Sequence, residues 1–338
     1  MTDENEYDER TWERLTGIAV PADRLAEARK TVRRSRAKAD AALHHRDAAL
    51  AVLYFQHRNA GWGKSKCYRA ALLDRFTFRE VLERLPDTMK APANTVDWGE
   101  VAARGEMDGL QTVYRRLVGK PEDEVAEFLH AAAREYVQET AVWEAARRVR
   151  EQAEVEAKLS SINNPATRLA EAGEMARKAR EKADALRHPR NAGLAVLHFQ
   201  HKDKGWDIQA NCYRAALLDR SSFQDALRPM PASMQVPPET VDWDDIIARG
   251  NMDELQTMYR ELVAKPEPEV AQFVRDTAEE HRRLKAVWKA AGRVRDEVAL
   301  DLMNGVHGPA WSNADVARTG RMKASYVTDL RQGKKQVA

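Results

Sequence analysis

Apolar residues recur at helical spacing along most of this chain. Leu25, Ala28, Val32, Ala39, Leu43, Leu50 and Leu53 fall on one stripe between Pro21 and His57, the i, i+3/i+4 rhythm of a helix that buries one face. Val125, Phe128, Ala132, Tyr136, Trp143 and Val149 repeat that rhythm after Pro121, over roughly 37 residues or ~55 Å at the helical rise. A single stripe on each of two such helices needs a partner, so the two are expected to pair as an antiparallel hairpin. Between them the pattern breaks up. Gly61-Trp62 interrupts the first stripe, 65–84 predicts one or two short helices ending at Pro86, and "PDTMKAPANTVDW" reads as a loop. Asp97 then caps a helix expected to reach Val118, with Trp98 as a core aromatic.

The whole pattern occurs twice. "RDAALAVLYFQHRNAGW" (46–62) matches "RNAGLAVLHFQHKDKGW" (190–206), and "CYRAALLDR" stands unchanged at 67–75 and 212–220. "DWGEVAARGEMDGLQTVYRRLVGKP" (97–121) matches "DWDDIIARGNMDELQTMYRELVAKP" (242–266) at 16 of 25 positions. Each copy spans about 140 residues, far longer than a solenoid unit, which makes it a duplicated domain. "SSINNPAT" (160–167) lies between the copies, with Asn164 suited to an N-cap and Pro165 to the first helical position.

Composition narrows the class. Hydrophobic residues make up 43% and charged residues 32% of 338, with 16 glycines and 13 prolines, so the chain is expected to fold as an all-α protein. A net charge of +2 gives no global field to attract an acidic partner, and only local clusters can. Residues 1–14 carry six acids against two bases, whereas 24–46 carry eight bases against Glu27 and Asp40. That basic stripe could follow a phosphate backbone, although a solvated helix face is the preferred reading. Cys67 and Cys212 lack metal-ligand spacing. No apolar run is long enough for a membrane span, and "MTDENEYDER" is the opposite of a signal-peptide start. A cytoplasmic protein without a membrane partner is expected.

The end of the chain differs from the copies. In "WSNADVARTGRMKASYVTDLRQGKK" (311–335), Asn313 is placed to cap a helix over 314–319, Gly320 permits a sharp turn, and a second helix runs from about Ala324 to Arg331 before Gly333. Val316, Ala317, Met322, Val327 and Leu330 are the positions that must touch if the two helices cross. This pattern resembles the helix-turn-helix module of bacterial and phage repressors. It departs from that family in one respect: Arg321 holds the place, four residues after Ala317, where the family usually has its turn glycine. The resemblance implies double-stranded DNA as the partner, and a homodimer on paired half-sites as the common arrangement. Lys323, Ser325, Tyr326, Thr328 and Arg331, with Asp329 among them, would face base edges. Arg318, Arg321, Lys334 and Lys335 would contact phosphates.

The tryptophan at the start of this stretch has two counterparts. Arg46, Arg190 and Arg295 each precede a tryptophan (Trp62, Trp206, Trp311) by sixteen residues. The segments 62–82 and 206–227 can therefore be diverged units of the same kind, or packing elements retained after duplication. "VAARGEM" (101–107) echoes "VARTGRM" (316–322) without the basic flank and is read as core. His57 and His201 precede the two cysteines by about ten residues. No third group accompanies them, and each reads as a satisfied histidine at a helix end. Neither HExxH, a P-loop nor GxGxxG occurs.

The expected organisation is an acidic flexible N-terminus (1–20), helical repeat 1 (21–159), a linker (160–167), helical repeat 2 (166–303) and a helix-turn-helix (304–338). The functional expectation is a DNA-binding regulator, transcriptional or replicon-associated, of bacterial, plasmid or phage origin, without cofactor, metal or enzymatic activity. A helical scaffold with no nucleic-acid role is the alternative.

Overall fold

The computed structural model describes residues 2–334 apart from 74, 106, 202–205, 207–211, 214, 219 and 251, and of these the side chains of all but 2–5 and 76. The described residues form helices and no strand, so the protein is all-α. The chain divides into two compact units, 1–150 and 151–338.

In the first unit, helix Pro21–Ala51 runs antiparallel to helix Glu122–Ser160. Ala28 and Val32 pack with Ala146 and Val149, Lys38 Nζ lies 2.7 Å from Glu139 Oε1, and the His45 and Phe128 rings are 5.4 Å apart. Much of the seam between these arms is alanine: Ala28, Ala39, Ala42, Ala141, Ala145 and Ala146 are all buried. At one end the first arm closes with a π-helical turn, Val52–Gln56. From this turn Gln56 Nε2 donates to the Tyr114 hydroxyl at 2.8 Å and to the Ala91 carbonyl at 3.2 Å, holding the proline-rich loop. Leu50, Leu53, Trp62, Cys67, Phe78, Met89, Tyr114 and Leu129 fill the core around it.

Three expectations are corrected here. The N-terminus is not a flexible tail: Thr2–Thr16 is a helix, and Trp12, Leu15 and Ile18 close over Ala28, Val32 and Val149. The acidity of this segment hid a short apolar stripe. The single helix expected from Asp97 to Val118 is two, Trp98–Ala103 and Gly109–Leu117. Gly105 at φ +70° breaks it, and Asp108 caps anew, accepting from Gln111 N at 2.8 Å while the Gln111 side chain accepts from Asp108 N at 3.1 Å. Residues 102–105, read as core, are exposed. Asp97 does cap its helix, accepting from Gly99 N at 2.9 Å, and Trp98 is half-buried.

The second unit repeats these local contacts. Gln200 Nε2, on the π-turn Val196–Gln200, donates to the Tyr259 hydroxyl at 2.7 Å, and Asp253 with Gln256 forms the same capping box. Trp206 Nε1 donates to Glu267 Oε1 at 2.8 Å, where Trp62 donates to Glu122 in the first unit. The first arm is split into Pro165–Ala185 and Arg187–Ala195, and both parts pack on helix Glu267–Met303. Asn164 caps the first part, accepting from Thr167 N at 3.0 Å. The boundary at 150 falls inside helix Glu122–Ser160, earlier than the expected linker, because Val155 and Leu159 pack with Leu169, Ala172 and Leu302. Arg293 Nη2 adds hydrogen bonds of 2.9 Å to Gln152 and Glu156.

Three positions on these arms generate measurable expectations. A methyl group at Gly173 would overlap the backbone of Gly320, whereas one at Gly292 would meet nothing within 4 Å. Gly173→Ala should therefore lower stability by about 1–3 kcal/mol, and Gly292→Ala should raise it by up to about 1 kcal/mol, both read by chemical denaturation. His281 is buried with its Nδ1 3.5 Å from Arg190 Nη1, and burial, then the Arg190 charge, pulls its pKa down to about 4 from 6.5. The unfolded chain takes up this proton first as the pH falls from about 6.5 towards about 4, so stability is lost across that window and is intact above it. A His281→Gln variant should show a flatter stability profile between those two pH values.

Candidate nucleic-acid interface

The tail begins where helix Glu267–Met303 ends. Trp311 N donates to Leu302 O at 3.0 Å, turning the chain back onto the helix it has just left. Helix Asn313–Thr319 follows, and its cap is Ser312: the Ser312 hydroxyl accepts from Asp315 N at 3.1 Å and donates to Asp315 Oδ2 at 2.6 Å. Asn313, expected as the cap, instead accepts from Arg331 Nη1 at 3.0 Å. The serine with an aspartate three residues on was a legible capping signal.

The turn is also made differently from the expectation. Gly320 has φ −82°, and the left-handed residue is Arg321 at φ +51°. Met322 N donates to Ala317 O at 2.9 Å, the 6→1 bond that closes such a helix end. A side chain at Gly320 would displace Met322 Cε and Leu169 Cδ1, and the Gly320 backbone itself lies close against Gly173. Helix Ala324–Arg331 then runs to Gly333 at φ +64°, where Lys334 N donates to Asp329 O at 3.0 Å. Val316, Ala317, Val327 and Leu330 are buried with Leu169, Ala172, Leu302 and Met303, and Met322 packs beside them.

Burial of that face decides what the other face presents. Lys323, Ser325, Thr328 and Arg331 are exposed, as are Arg318, Arg321 and Lys334. Tyr326 is not with them. Its hydroxyl donates to Asp296 Oδ2 at 2.5 Å, and the Arg295 guanidinium lies 5.3 Å over its ring. Asp296 is 1% exposed and also accepts from Arg295 Nη2 at 2.7 Å. The placement of Tyr326 among base-reading residues is therefore corrected: it anchors the second helix to the long arm. Asp329 is half-buried. Arg318 pairs with Asp315, and Arg321 Nη1 lies 3.1 Å from Glu174. Lys323 and Lys334 have no carboxylate partner among the described residues. Lys335 lies outside the described residues.

Other sequence candidates carry less chemistry. Bases of the 24–46 stripe are engaged within their own unit: Arg24 Nε donates to Ile18 O at 2.9 Å, Lys38 meets Glu139, and Arg46 is buried on Asp47 at 2.8 Å. Burial pushes the Cys67 thiol up to about 11, which removes the thiolate a nucleophile needs. His57 closes the π-turn as expected of a helix-end residue, yet its Nε2 is buried without a hydrogen-bond partner. Among the described residues no helix is long and apolar enough to cross a membrane. Comparison with protein families, curated proteins and solved structures returns no match.

Tyr326→Phe removes one hydrogen bond to a buried carboxylate and leaves the exposed face untouched. It should cost about 1.5–3 kcal/mol of stability, measured by thermal or urea unfolding.

Proposed function

We propose that the protein binds double-stranded DNA through its C-terminal two-helix segment and serves as a transcriptional or replicon-associated regulator of bacterial, plasmid or phage type. The observation that carries this reading is the division of helix Ala324–Arg331 into a buried face, Val327 and Leu330, and an exposed one, Ser325, Thr328 and Arg331, led by Lys323. A major groove admits a helix of this diameter, and hydroxyls with an arginine can both donate to and accept from base edges there. Arg318, Arg321 and Lys334 flank that helix as cations for the phosphates on either side. Asn313 supports the arrangement by receiving the Arg331 guanidinium, which orients it over the exposed face. Two such chains on a paired half-site would be the dimeric form of this binding.

Selection of bound sequences from random duplex DNA tests the reading. A defined consensus is expected, with affinity falling steeply as salt rises. Lys323→Ala combined with Arg331→Ala should weaken consensus binding by about 30-fold or more, if each side chain supplies at least about 1 kcal/mol. Recovery of unenriched sequences, with affinity unaffected by the double variant, would reject DNA reading by this helix and favour a helical scaffold.

A further inference from the structure

Among the described residues, the backbone pattern of the tail recurs in the first unit. Residues Lys64–Ala70 form a seven-residue helix, as Asn313–Thr319 do, and each begins two residues after a tryptophan. Five residues past Cys67 the chain turns through Leu72 at φ +53°, as it turns through Arg321 at φ +51° five residues past Val316. Leu73 N donates to Tyr68 O at 2.8 Å, matching Met322 N to Ala317 O at 2.9 Å. Helix Arg75–Arg84 then starts three residues after Leu72, as Ala324–Arg331 starts three after Arg321. The buried positions agree as well: Cys67, Ala71, Phe78 and Val81 stand where Val316, Gly320, Val327 and Leu330 stand. No glycine stands at the left-handed position of this turn in either place, since Leu72 and Arg321 take that conformation themselves. In the second copy Leu217 at φ +50° and helix Arg220–Leu227 keep the same register, while most of the preceding segment lies outside the described residues.

Charge distinguishes the two internal units. On the exposed side of 62–84, Arg69 occupies the place of Arg318, Arg75 opens the second helix, and Arg79 lies one turn on, at the place of Thr328. Arg75 and Arg79, four apart, share a helix face. Arg79 reaches Glu83 at 3.7 Å, while Arg69 and Arg75 have no carboxylate partner among the described residues. From 58 to 84 there are seven bases against three acids, but from 202 to 228 five bases meet four acids.

We propose that residues 62–84 are a second duplex-DNA contact, with Arg69, Arg75 and Arg79 on phosphates, and that 206–227 is not. The choice of ligand rests on the reading of the tail as a DNA binder. An arginine-rich face without a pattern of hydroxyls and amides holds the backbone without reading sequence, so this unit adds affinity and salt dependence to a site whose sequence the tail selects.

The test uses the full-length chain and a mixed-sequence duplex. Arg69→Ala/Arg75→Ala/Arg79→Ala is compared with wild type, with Lys323→Ala/Arg331→Ala, and with Arg220→Ala/Gln224→Ala, each checked for native helicity by circular dichroism. The triple variant should lose about tenfold or more in affinity near 0.1 M salt, and its slope of log K against log salt should flatten by roughly 2–3. The variant in 206–227 should match wild type. Hydrogen exchange in the presence of DNA should slow across 62–84 in the wild-type chain. An unchanged slope in the triple variant, with binding lost only in the tail variant, overturns this contact and leaves the tail reading standing. Wild-type protein that fails to bind any duplex overturns both.

Discussion

The structure depends on how little each contact along the arms can contribute. Buried alanines dominate the long helices of both units, among them Ala28, Ala42, Ala145 and Ala146 in the first and Ala172, Ala176, Ala179, Ala183, Ala290 and Ala291 in the second. A methyl group lets two helices approach closely but removes little apolar surface from water. Cohesion along an arm therefore requires length, and helices of 31, 39 and 37 residues provide it. The large side chains gather elsewhere. In the first unit Trp62, Phe78, Met89 and Tyr114 form one cluster, and in the second Leu169, Leu302, Met303, Val327 and Leu330 seat the tail.

That arrangement ties the tail's short helices to the long arm. In the tail, the close approach of Gly173 to Gly320 and the Tyr326–Asp296 hydrogen bond fix the second helix at separate points. A left-handed arginine costs about 1–2 kcal/mol, and Arg321 is held there by the bond from Met322 and by Glu174. Leu72 bears the same conformation while 55% exposed. Its conformation is imposed by the backbone bonds around it, since burial of its side chain supplies little. In the proposed DNA-binding role, side chains held in this way are presented without further ordering.

The arginine that stands sixteen residues before each tryptophan has a comparable role in each place. Arg46 folds onto Asp47, Arg190 onto Asn191 at 3.1 Å, and Arg295 onto Asp296. Spacing alone could point to this repetition, but not to its use. The arginine donates to one oxygen of its polar neighbour, and on the last arm the other oxygen of Asp296 accepts from Tyr326.

Helix periods, most caps and the doubled pattern were legible in the sequence because they depend on residues a few positions apart. The acidic helix Thr2–Thr16 was not, since Trp12 and Leu15, with Ile18 just beyond it, acquire meaning only against Ala28 and Val149. Nor was the break at Gly105, where a new capping box competes with continuation of the helix. In the candidate interface, local pattern determined which residues of 313–331 are helical and that Val327 and Leu330 turn inward. Tertiary structure decided the rest: Tyr326 faces Asp296, and the Gly320 backbone lies against Gly173 while Arg321 makes the turn. Both outcomes depend on helices whose residues lie thirty to nearly one hundred and fifty positions away, and no local rule includes a neighbour that only folding brings into contact.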